Sequence, residues 1–111
     1  MRLESTGDEL FLALVSMIQV TRPSLLKPAG DGFDVDVSPL LSQKELSDDE
    51  RLVLRLYGAL AQAAPEAAAQ LDLTEAECAR LGRALALVER SRAWPEDARS
   101  LCRALLGKLS A

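Results

Sequence analysis

Apolar positions in this chain recur at helical spacing in four stretches and at strand spacing in two short ones. From Leu10 to Val20, the residues Leu10, Phe11, Leu14, Val15, Met17, Ile18 and Val20 cover most of a helical circumference, widened by Leu12 and Ala13. A helix apolar on nearly all sides belongs at the centre of a bundle or in a dimer interface. Its predicted span is Thr6 to Thr21, with Ser5 and Asp8 as the capping pair and Arg22-Pro23 as the stop. A second helix is predicted over Asp48 to Ala63, opened by a Ser47/Glu50 capping box, with Leu52, Val53, Leu56, Tyr57 and Leu60 facing inward. Pro65 suits the first turn of a short Ala-rich helix ending near Leu71. Thr74 and Glu77 form another capping-box pattern, before a helix to about Ser91 that aligns Cys78, Leu81, Leu85 and Val88. After the Trp94-Pro95 break, a last helix from Pro95 to about Leu109 aligns Ala98, Leu101, Cys102, Leu105 and Leu109.

Residues 23–45 interrupt that pattern. Pro23, Pro28, Gly30, Gly32 and Pro39 leave no room for a long helix. Between them Phe33-Asp34-Val35-Asp36-Val37 alternates strictly, which reads as a short strand. Residues 1–4 alternate as well and fit a short extended arm. A buried strand needs a partner for its backbone groups. Three are open to residues 33–37: the N-terminal arm, another part of the same segment, or the same strand of a second copy in a symmetric dimer. The expected fold is all-α (mostly α), a single-domain compact bundle of four to five helices with one short β element near residues 33–37.

Composition narrows the chemistry. Apolar residues make up 49% and aromatics 4% of 111 residues, so one domain with an aliphatic core is expected. The chain has no histidine, which removes the commonest general acid–base group and the commonest metal ligand. It also has no glycine-rich phosphate loop and no nucleophile–base motif, so neither catalysis nor a cofactor is expected. Cys78 and Cys102 sit on the apolar stripes of different predicted helices, as reduced core residues do. Asp34, Asp36, Ser38, Ser42 and Glu45 have the spacing of a calcium-binding EF-hand loop, yet Pro39 occupies the position that requires glycine. No metal site is expected.

Charge is unevenly spread. Residues 1–50 carry 4 basic and 10 acidic side chains, a balance of −6, whereas residues 51–111 carry 9 and 7, a balance of +2. Glu4, Asp8 and Glu9 precede the first apolar run where a signal peptide would be basic. That run of 11 residues is also far shorter than the ~20 needed to cross a bilayer. A cytoplasmic location without a membrane partner is expected, and the preference for Arg over Lys with abundant Ala and Leu fits a bacterial, GC-rich source.

Two segments carry a family likeness. Leu46-Ser47-Asp48-Asp49-Glu50-Arg51-Leu52-Val53-Leu54 resembles the opening helix of helix-turn-helix domains of the LuxR and sigma-factor type. Ala67 to Cys78 resembles their central turn, with Asp72 where those families usually carry glycine. The likeness covers residues 46–85. It implies a DNA-binding regulator whose Thr74, Arg80 and Arg83 face the groove. The other reading is a non-catalytic interaction or regulatory module, acting through an apolar helix face or strand edge on another protein or on itself as a homodimer. Its candidate partner-binding residues are Phe33, Val35 and Val37 on the strand and Trp94 before the last helix.

Overall fold

The N-terminal arm is the first strand, β1 (Arg2–Ser5), in the computed structural model, which describes residues 2–30, 32–62 and 69–110. Its alternation turns Leu3 and Ser5 inward. Thr6, not Ser5, caps the first helix, α1 (Gly7–Thr21). The Thr6 hydroxyl accepts from the Glu9 N–H at 3.2 Å, and the Glu9 carboxylate accepts from the Thr6 N–H at 3.0 Å. The reason is geometric: Ser5 is committed to β1 with its side chain inward, so the reciprocal box moves one residue on.

A 3-10 turn at Pro23–Leu25 leads into a hairpin of β2 (Leu26–Ala29) and β3 (Gly32–Val35), in antiparallel register Leu26↔Val35 and Lys27↔Asp34. Gly30 sits in the turn at φ 57°, a left-handed conformation that favours glycine. The strand predicted at residues 33–37 therefore finds its partner in its own segment. It also ends early, at Val35. The Asp36 carboxylate accepts from the Ser38 hydroxyl at 2.6 Å and the Ser38 N–H at 3.0 Å, bending the chain into the short helix α2 (Ser38–Leu41). Those Ser38 hydrogen bonds, with Lys27 beside them, pull the Asp36 carboxyl down to about 2. The acidic spacing that imitates a calcium loop thus serves a turn.

A second departure lies before residue 74. Ala69–Asp72, expected to end a helix, is strand β4, paired antiparallel with β1 as Arg2↔Asp72 and Leu3↔Leu71. The rest of that expected helix, residues 63–68, lies outside the described residues. Local alanine content favours a helix, but the buried backbone of β1 needs a ladder partner, and tertiary pairing prevails. An Arg2–Asp72 ion pair at 3.3 Å closes the end of this ribbon.

The long helices follow expectation. The Ser47/Glu50 box opens α3 (Asp48–Gln62), the Thr74/Glu77 box opens α4 (Glu75–Arg90), and α5 (Glu96–Ser110) follows the Trp94-Pro95 break. Helix α1 is central and packs against α3, α4 and α5. Its Leu10, Leu14, Met17 and Ile18 are essentially fully buried, joined by Leu52, Leu56, Leu81, Leu85 and Leu105 from the surrounding helices. Each such side chain contributes roughly 1.5–3 kcal/mol by leaving water. At the far end of the chain, Lys108 Nζ donates to the Glu9 carboxylate at 2.9 and 3.0 Å and to the Glu4 carbonyl at 3.0 Å. Burial raises the Glu9 pKa, but the Thr6 N–H and Lys108 outweigh it and leave the carboxyl below its ordinary value. Cys78 is half-buried and Cys102 buried, and neither is in a disulfide. Among the described residues no helix is long and apolar enough to cross a membrane.

Candidate functional site

Helix α4 carries two of the candidate residues, Arg80 and Arg83, and a third, Thr74, caps it. Its inward face is Leu81, Ala84, Leu85 and Val88. The first half of its outward face is engaged within the chain. The Thr74 hydroxyl accepts from the Glu77 N–H at 3.1 Å, and the Glu77 carboxylate accepts from the Thr74 N–H at 2.9 Å. Arg55 reaches across from α3 to the Glu77 carboxylate and to the Asp72 carbonyl. Burial raises the Glu77 pKa, yet the Arg55 guanidinium and the Thr74 N–H together bring it below its ordinary value. Arg80 pairs with Asp49 at 2.8 Å and with Asp48 at 3.3 Å, and its pKa rises accordingly, chiefly through the Asp49 hydrogen bond. The charged side chains lining the cleft of about 350 Å³ here, Asp48, Arg51, Arg55, Glu77 and Arg80, are all held in ion pairs within the chain.

The second half is different. Arg83, Leu87 and Arg90 are spaced four and three residues apart, on one helical face, and all three are exposed. Neither arginine has an ion-pair partner among the described residues, nor does the exposed Arg92 that follows in the connection to α5. Leu87 is 57% exposed, and Val20, at the end of α1, is 44% exposed. Both side chains line two adjoining hollows. One, of about 300 Å³, extends towards Asp49, Arg80, Arg83 and Ala84. The other, of about 230 Å³, extends towards Gln19, Ser91 and Trp94. The two form one shallow groove between α1 and α4, apolar along its middle and basic at its rim. Phe11, Leu41 and Tyr57 are also exposed, but none of them lines this groove.

No protein-family model matches the chain, and neither a curated protein nor a solved structure does. Function must be read from the surface itself.

The residues singled out in the sequence meet this geometry unevenly. Trp94 packs against the core and lines the groove, so it is at once a bundle plug and part of the surface. Arg83 lines the groove as well, whereas Thr74 and Arg80 are held as a helix cap and an ion-pair partner. Val37 is buried at 6% exposure, and Val35 is half-buried against the core, so the alternating segment turns these valines inward. Phe33 pairs through its backbone with Pro28, while its side chain lies outside the described residues. Sequence reasoning missed Val20 and Leu87 as surface residues. The signal for Leu87 was present: it falls off the Leu81–Leu85–Val88 stripe yet is large and apolar. Among the described residues, no group of three or more His, Cys, Asp or Glu is placed to hold a metal ion.

Proposed function

We propose that the protein is a non-catalytic interaction module of regulatory type, and that the α1–α4 groove is where another protein docks. The observation that carries this reading is the pairing of Val20 and Leu87, exposed on neighbouring helices beside the half-buried Trp94 and rimmed by Arg83. An apolar centre with an aromatic residue and arginine at its edge is the composition of protein-binding hot spots. The hairpin pairs β3 within the chain, so an unpaired strand no longer supplies the reason for a second copy.

Duplex DNA is the competing partner. A phosphate backbone calls for a continuous field of free cations, whereas here Arg83 and Arg90 stand on either side of the apolar Leu87. Arg80 is neutralised by Asp48 and Asp49, and residues 69–72 form a strand where the likeness to helix-turn-helix domains calls for a helix. These observations favour protein over DNA.

A photo-crosslinking amino acid at Leu87 tests the reading, with the exposed Ala61 of α3 as control position. The expected outcome is a nuclease-resistant protein adduct from position 87 and none from position 61. A nucleic-acid adduct, or no adduct above the control, would remove it.

A further inference from the structure

The groove has a chemistry specific enough to describe its occupant. We infer that it receives an amphipathic helix of another protein, carrying an apolar residue flanked by carboxylates about seven residues apart. This rests on the groove being the docking face.

Charge complementarity is the first argument. Arg83 and Arg90 lie on either side of Leu87 on one face of α4, exposed and without ion-pair partners among the described residues, and Arg92 follows directly in the chain. Elsewhere the molecule pairs its arginines: Arg55 with Glu77, Arg80 with Asp48 and Asp49, and Arg99 and Arg103 with Glu96. The unpaired ones cluster where apolar side chains are also left in water. Among the described residues the sole acidic side chain lining the groove, Asp49, is already bound to Arg80. A guanidinium offers two parallel donors that match one carboxylate, so two such side chains about 10 Å apart along the helix select two carboxylates at the same separation.

The second argument concerns backbone. The groove is bordered by helices and the connection after α4, and among the described residues no strand residue lines it. An extended segment lying there would find no ladder and would leave its own N–H and C=O groups unpaired. A helix satisfies those groups internally and offers side chains at matching intervals. From Arg80 to Ser91 the groove follows α4 for roughly 16 Å, about three turns of an incoming helix. A carboxylate, an apolar residue three or four positions on, and a second carboxylate at the seventh would then meet Arg83, Leu87 and Arg90 together.

The test is selection from a displayed library of helical peptides of about four turns, run on the whole protein. The same selection is run on Leu87→Asp and on the double variant Arg83→Glu, Arg90→Glu. All three positions are exposed, and thermal melts by circular dichroism check that each variant is folded. Trp94 is the only tryptophan and lines the groove, so its emission reports occupancy directly. The expected peptides carry Asp or Glu seven apart around an apolar residue and shift Trp94 emission. They lose about tenfold or more in affinity on the double variant, and lysine-swapped versions recover binding to it. Apolar peptides without acidic bias, sensitive to Leu87→Asp alone, would overturn the acidic partner and leave the docking face standing. Peptides indifferent to Leu87→Asp, or no enrichment, would overturn both. Displacement of the selected peptides by duplex DNA would overturn the choice of protein over nucleic acid.

Discussion

At the start of α4 the cap residue Thr74 and Glu77 engage each other, Arg55 holds Glu77, and Arg80 is held by Asp48 and Asp49. In the second half Arg83, Leu87 and Arg90 are exposed, the arginines without ion-pair partners among the described residues. One helix thus presents two surfaces that both carry arginine. The first closes the α3–α4 junction, while the second is left for something outside the chain. Residue type alone does not tell Arg80 from Arg83 and Arg90. Pairing separates them, because an arginine already held by carboxylates has its charge neutralised and part of its donor set occupied before any outside group arrives.

Four measurements would break or sharpen that contrast. The largest effect is expected beneath both surfaces. Leu81→Ala removes a side chain that is fully buried and should cost roughly 2–5 kcal/mol in urea unfolding, since a cavity adds to the lost burial. Leu87→Asp, six residues along, should leave stability within about 0.5 kcal/mol while costing about 2 kcal/mol or more in partner binding. A large loss of stability at position 87 would mean that this half, too, is internal structure. Next comes the cap: Thr74→Ala should cost about 1 kcal/mol, with helix α4 fraying first at its N-terminus by hydrogen exchange.

The smallest effect is a change of slope. Glu77 has its pKa lowered in the folded chain, so its stabilising contribution is full above the ordinary value of 4.5 and fades as pH falls through the folded value. Stability of the wild type should therefore decline below about pH 5 more steeply than that of Glu77→Gln. Equal slopes in urea titrations at several pH values would show that the first half is not electrostatically closed.

The long helices were legible from the chain because their signals are local. The Ser47/Glu50 and Thr74/Glu77 boxes act within one turn, and the stripes Leu81–Leu85–Val88 and Leu101–Cys102–Leu105 repeat at helical period. The strand at residues 69–72 was not legible. Its alanine-rich surroundings favour a helix, and its reason for being a strand is β1, nearly seventy residues away. The candidate site was half legible. Trp94 stood out by type and Arg83 through the likeness to helix-turn-helix domains, but Val20 and Leu87 became a surface only when α1 and α4 met.

What the sequence determined by itself is the approximate extent of the four long helices and that the core is aliphatic, while it left α1 either at the centre of a bundle or in a dimer interface. These follow from spacing and capping within a few residues. The tertiary structure alone decided which strands pair, which arginines are neutralised and which apolar side chains stay in water. Each of those depends on groups far apart in the chain, such as Asp72 against Arg2, Arg80 against Asp49, and Leu87 beside Val20. Local pattern cannot specify which distant charge or apolar surface a side chain will meet, and that meeting is what separates a structural arginine from one free to bind.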